Sequence, residues 1–234
     1  MQPPPSSREY RQYRFRLPPG ATDLLLIRHG ESEPARPDKV FPERDGHADP
    51  PLDPHGRMEA EAVAKRLADQ DIAAVYVSTL QRTHQTAEPL CRALALEPVV
   101  EADIREVHLG EWEGGTFRMR VDDGDPLAKR LFTEERWDVI PGAEPMEALA
   151  MRVRDAINRI AASHADQRVA VFTHGGIIGT VAALATGGRP FAFIGADNAS
   201  ITHLVVIGDR WVLRRFNDTG HLATDLDRPV QPLT

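Results

Sequence analysis

Hydrophobic and polar positions along this chain alternate between two patterns. Short, nearly unbroken apolar runs stand at residues 24–27, 73–77, 169–172 and 201–207. Such runs are the signature of strands covered on both faces, as in a parallel sheet. Between them, apolar positions recur at helical spacing over 56–69, 83–94, 143–163 and 176–185. Strands alternating with helices predict right-handed crossovers, and so a three-layer α/β fold: a mainly parallel sheet with helices on both faces. The stretch 103–141 breaks the pattern. It lacks periodicity, carries Gly114-Gly115 and Asp122-Asp123-Gly124-Asp125-Pro126, and predicts a short cap inserted over one rim of the sheet. One domain is expected over 21–221, flanked by a Pro- and Arg-bearing tail at 1–20 and a second tail at 222–234.

In a fold of this kind, ligands gather outside the carboxyl ends of the strands. Three polar clusters follow predicted strands directly and share that rim: Arg28-His29-Gly30-Glu31, Ser78-Thr79, and Thr173-His174-Gly175-Gly176. An imidazole beside a permanent cation on a glycine bend suits an anionic ligand approached closely by backbone. His174 opens a helix whose free N–H groups and dipole also favour an anion. Either His-Gly turn taken alone is equally a plain capped turn, whereas the pair on one rim points to a site. The helix near residue 83 has Ser78 or Thr79 as its expected cap. Arg82 in its first turn opposes the helix dipole, which suits an anionic ligand or an exposed ion pair. His84 reads as a helix-surface residue. Glu106, Glu111 and Glu113 are each a candidate acid or base, and spacing does not choose among them.

Composition narrows the classes. With 234 residues, 41% of them hydrophobic, the chain can build one sizeable core. Its net charge of −7 argues against a general nucleic-acid or membrane-surface binder, though it does not exclude a local basic pocket. The single cysteine, Cys91, forbids an internal disulfide and reads as a core thiol rather than a nucleophile. No apolar run approaches a membrane span, and the N-terminal stretch lacks a signal-peptide core, so the expected compartment is the cytoplasm. The 9 histidines form no zinc-type spacing, and no nucleotide-binding glycine loop occurs, so neither metal nor cofactor is expected.

These stretches together resemble the histidine phosphatase superfamily, the phosphoglycerate-mutase-like proteins, and within it the small phosphatases. The matching residues are Leu26-Ile27-Arg28-His29-Gly30-Glu31, Asp49-Pro50-Pro51-Leu52 with Gly56, and Ser78-x-Leu80-x-Arg82-Thr83-x-x-Thr86-Ala87. They continue with Glu106-x-x-x-Gly110-x-Trp112-Glu113-Gly114, Pro141-Gly142-Ala143-Glu144, Thr173-His174-Gly175-Gly176 and Asn198-Ala199-Ser200. The resemblance implies that His29 is a nucleophile forming phosphohistidine, that Arg28, Arg82 and His174 hold the phosphoryl oxygens, and that Glu106 is the acid and base. It implies a metal-independent phosphomonoesterase acting on a small phosphorylated metabolite and releasing inorganic phosphate. Glu33-Pro34 stands where related mutases carry Trp-Asn, and the stretch before Pro141 is shorter and less basic than theirs, which favours hydrolysis over phosphoglycerate mutase-type transfer. A non-catalytic phospho-ligand-binding module is a third reading, weakened because no catalytic position is substituted. Phe117, Phe132 and Trp137 are expected either to line an apolar pocket or to pack the cap onto the core. These residues do not fix the oligomeric state, and a homodimer is among the arrangements they allow.

Overall fold

A computed structural model describes residue 12 and residues 15–222, so most of both expected tails lies outside the described residues. The strands are β1 (Thr22–Arg28), β2 (Glu43–Arg44), β3 (His47–Ala48), β4 (Ile72–Val77), β5 (Val99–Val100), β6 (Arg168–Thr173), β7 (Ile201–Ile207) and β8 (Arg210–Asp218). The α-helices are α1 (Pro54–Leu67), α2 (Gln81–Leu94), α3 (Thr116–Asp122), α4 (Pro126–Glu134), α5 (Met146–Ala162) and α6 (Gly175–Thr186). Six strands form one sheet in the order β5-β4-β6-β1-β7-β8, and β2 pairs with β3 as a separate small hairpin.

The unbroken apolar runs are explained by burial on both faces. Side chains of a strand point alternately to opposite sides. In β1, Leu24 and Leu26 join a core with α5, α6 and the 103–141 stretch, while Leu25 and Ile27 join a second core with α1 and α2. β6 divides the same way, with Val169 and Val171 in the first core and Ala170 and Phe172 in the second. β5, β4, β6 and β1 run parallel, whereas β7 pairs antiparallel with β1 and β8 antiparallel with β7. An apolar run reports burial, not direction, so the turned-round β7 is a feature the pattern did not carry. β8 was not anticipated either. It lies at the edge, and its residues are half-buried or exposed.

Helix ends follow local chemistry. The Asp53 side chain accepts from the Gly56 amide at 2.7 Å and Pro54 occupies the first turn of α1. The expected Ser78 or Thr79 cap of α2 is not found. The N-cap is Leu80, without a side-chain cap of its own, and Asp49 from the preceding loop accepts from the Gln81 amide at 2.8 Å. The stretch 103–141 holds α3 and α4 with three short 3-10 turns, and Trp112, Phe117, Leu131, Trp137 and Ile140 are buried in the first core. Cys91 is buried, and burial raises its thiol pKa. No helix of the described residues is long and apolar enough to cross a membrane.

Candidate active site

The sheet register assembles the site. β1 and β6 are parallel neighbours with Arg28 opposite Thr173, so the next residues, His29 and His174, leave the sheet side by side. Their rings meet edge to face with centroids 5.2 Å apart. β4 lies on the other side of β6 with Val77 opposite Phe172, which brings Ser78 to within 2.8 Å of the His174 ring through Oγ and Nε2. The helix N-terminus of α2 adds Arg82, whose Nη1 donates to the Ala48 carbonyl at 2.9 Å and stands 3.9 Å from Asp49.

Several backbone contacts hold the His29 loop. The Gly30 amide donates to Thr86 Oγ1 at 3.0 Å, and Asn198 donates to the His29 carbonyl at 3.0 Å. A Cβ on Gly30 would stand 2.5 Å from the Gly56 carbonyl oxygen, and one on Gly56 would stand 2.0 Å from that of Glu31. The loop and the start of α1 therefore touch backbone to backbone, which only glycine permits.

His29 is 4% exposed and bonds the Gly30 carbonyl through Nδ1 at 2.7 Å. A carbonyl only accepts, so the proton sits on Nδ1 and Nε2 keeps its lone pair. Burial first, then the charges of Arg82 and Arg28, hold its pKa well below the ordinary imidazole value. His174 is fully buried and lowered in the same way, by burial and then Arg82. Burial brings Arg82 down to about 10, which leaves it charged at neutral pH. Nδ1 of His174 and Nε of Arg28 are buried with no hydrogen-bond partner among the described residues. Buried polar groups are seldom left unpaired; Thr79 Oγ1, Ser200 Oγ and His221 Nδ1 are so as well, and what singles out these two nitrogens is their place beside His29.

The three glutamates separate once their surroundings are seen. Glu111 is exposed. Glu113 lines the pocket, its two oxygens accepting from the Ala48 and Leu109 amides at 2.7 and 2.8 Å and so tying the small hairpin to the 103–141 stretch. Glu106 lines the pocket with Arg28, His29 and Arg82. Its Oε1 accepts from the Val107 amide at 2.9 Å and its Oε2 from the Gly176 amide at 3.3 Å. A Cβ on Gly176 would fall 2.6 Å from Glu106 Oε1, so the second glycine after His174 is what lets the carboxylate approach α6. Among the described residues, no group of three or more His, Cys, Asp or Glu side chains is placed to hold a metal ion.

A family model of the histidine phosphatase superfamily, branch 1, matches residues 24–219. The chain belongs to that superfamily. An Arabidopsis thaliana phosphoglycerate mutase-like protein 4 is 33% identical over 205 residues, 86% of each chain. A metal-independent phosphoserine phosphatase from the same plant is 28% identical, over 87% of this chain and 84% of its own. Among solved structures, a mycobacterial glucosyl-3-phosphoglycerate phosphatase superposes with a TM-score of 0.71 at 28% identity, covering 85% of this chain and 100% of the other. The phosphoserine phosphatase of Entamoeba histolytica, in complex with 3-phosphoglyceric acid, does so with 0.70 at 26%, covering 86% and 99%.

Within this member of the superfamily, the structure brings together Arg28, His29, Arg82 and Glu106 on one pocket, with fully buried His174 against His29. It also adds residues that motif reading passed over. Arg118 of α3 lines the same pocket, donates to the Glu33 carbonyl at 2.9 Å and the Ser32 hydroxyl at 2.7 Å, and lies 5.5 Å from the centre of the Phe41 ring. His47 of the small hairpin lines it too. Behind the pocket, Arg152 donates to the carbonyls of Asp103, Arg105 and Glu106 and pairs with Glu144 at 2.6 Å, fixing the segment that carries Glu106. Nothing in the spacing of Arg118 or Arg152 marks them. Their places depend on how α3 and α5 pack.

Proposed function

We propose that this chain hydrolyses phosphomonoesters of a small metabolite through a phosphohistidine at His29, without a metal ion. The observation that carries the reading is the pair of unpartnered buried nitrogens, His174 Nδ1 and Arg28 Nε, beside an imidazole whose Nε2 lone pair is preserved. Two phosphoryl oxygens would complete both.

In the first step, Nε2 of His29 attacks phosphorus and the bond to the ester oxygen breaks. Arg28, Arg82 and His174 stabilise the charge spread over the equatorial oxygens, which is where most of the acceleration of phosphoryl transfer arises. Glu106 gives its proton to the departing alkoxide. In the second step, Glu106 takes a proton from water, the water oxygen attacks the phosphohistidine, and inorganic phosphate and neutral His29 are released.

Assay of the purified chain with a chromogenic phosphate ester tests the reading. His29→Ala is expected to lower kcat by about 10^3-fold or more, and a phosphorylated intermediate to appear on wild type alone. Equal rates from the two proteins would sink it. Mutase-type transfer is a second reading, favoured by the relative named phosphoglycerate mutase-like protein 4. With monophosphoglycerate as substrate, the isomer appearing faster than free phosphate would establish it in place of hydrolysis.

A further inference from the structure

Beyond the phosphate-binding groups, the pocket changes character. Phe41, Leu109, Trp112, Phe117, Trp137 and Ile194 supply an apolar wall to its lining. Most of the polar groups on that side are engaged with the protein itself: both Glu113 oxygens accept from backbone amides, the terminal nitrogens of Arg118 donate to Glu33 and Ser32, and His47 Nδ1 lies 3.2 Å from the Asp45 carbonyl, its other ring nitrogen remaining as a polar group of the lining. Ring contacts run on without a break, from Trp112 to Phe117 at 6.1 Å, to Trp137 at 5.9 Å and to Phe191 at 4.9 Å. Phe132 is not part of the wall and packs on Phe191 from behind, at 6.4 Å. Trp137, Ile194, Gly175 and Gly176 also border a second cleft, where Leu149, Leu184 and Phe191 extend the apolar lining and Glu147, Arg154 and Thr180 add polar groups.

Resting on the hydrolase reading above, we propose that the alcohol esterified to the phosphate is aromatic, an aryl or arylalkyl group seated against Phe117, Trp137 and Ile194. A substrate rich in amino, carboxylate or hydroxyl groups would have to bury them against this wall with few partners, which disfavours it. An aromatic ring meets aromatic rings there in the edge and tilted geometries they already adopt with one another.

The test compares benzyl phosphate with phosphoserine. Both have an aliphatic ester oxygen, so the comparison reads the pocket more than the leaving group. Turnover is measured alongside binding of the two phosphonates in which a methylene replaces that oxygen, 2-phenylethylphosphonate and 2-amino-4-phosphonobutyrate. The aromatic member of each pair is expected to be preferred by about tenfold or more, and Ile194→Asn, a half-buried loop position, to shrink the preference at least about threefold. Equal or tighter binding of the amino-acid phosphonate overturns the proposal, whether or not any ester is turned over. Aromatic-selective binding with no turnover of either ester overturns the hydrolase reading and leaves the pocket assignment supported.

Discussion

At the scale of single residues, the site is governed by where each proton sits. His29 donates from Nδ1 to the Gly30 carbonyl, and burial beside Arg82 and Arg28 lowers its pKa. In the proposed mechanism protonation would remove the lone pair that attacks phosphorus, so the lowered pKa moves that loss to more acidic solution. In a pH profile, kcat/KM is therefore expected to persist through pH 6 rather than fall at the ordinary imidazole value of about 6.5. His174 needs its proton on the same ring atom, Nδ1, but free to donate to a ligand, because that nitrogen has no partner among the described residues. Its Nε2 must then accept, and the Ser78 hydroxyl, 2.8 Å away, is the group that can donate. Ser78→Ala is expected to reduce kcat/KM by about tenfold, the worth of one such hydrogen bond, with Ser78→Thr recovering part of it; steady-state kinetics of the pair would show this. Ser78 was legible in the sequence as a polar residue on the ligand rim and as a candidate helix cap, not as a partner of His174. Its bond to a histidine 96 residues away depends on β4 and β6 being neighbours, which no local pattern states.

At the scale of elements, two turns bring carboxylate and imidazole onto one helix end. Gly176 sits where any side chain would strike Glu106 Oε1 and the Val107 side chain. Gly176→Ala is expected to lower kcat by about 100-fold, the cost of an ångström-scale displacement of a reacting group. Thermal stability should change little or fall modestly, because the better helix propensity of alanine is offset by overpacking against the buried Val107 side chain; paired kinetic and melting measurements separate the two effects. Strands wrapped on both faces, such as β1 and β6, were readable from their apolar runs, and α1, α2, α5 and α6 from helical spacing. The hairpin of β2 and β3 was not, since two residues per strand leave no period to detect. α3 and α4 were hidden for another reason: they belong to a stretch whose glycines and aspartates look like loop, although Asp125 in fact caps α4 by accepting from the Leu127 amide. Arg118 stayed out of reach with them.

At the scale of the whole molecule, charge and topology act far from the pocket. Asp23 of β1 is buried and bonded to Arg168 and His203 on the flanking strands. Burial alone would raise its pKa, but His203 and Arg168 outweigh it and hold the carboxyl below its usual value. A carboxylate depressed on folding contributes stability above its unfolded pKa and loses it as pH falls through the folded one. Asp23→Asn is expected to cost about 2 kcal/mol at pH 7 and less at pH 3, as read by denaturant unfolding at the two values. The order of strands carries one more consequence. β6 is a central strand, with β1 on one side and β4 on the other, yet it is made from residues 168–173. Until those residues arrive, the chain has no means of joining its first strand to its fourth, and pairings so distant in sequence form slowly. A growing chain on the ribosome would thus hold His29 and Arg82 well before the proposed phosphate site is complete. The anion pocket closes with the sheet, late, so phosphate added during refolding should stabilise only the finished core and leave the rate of its assembly unchanged.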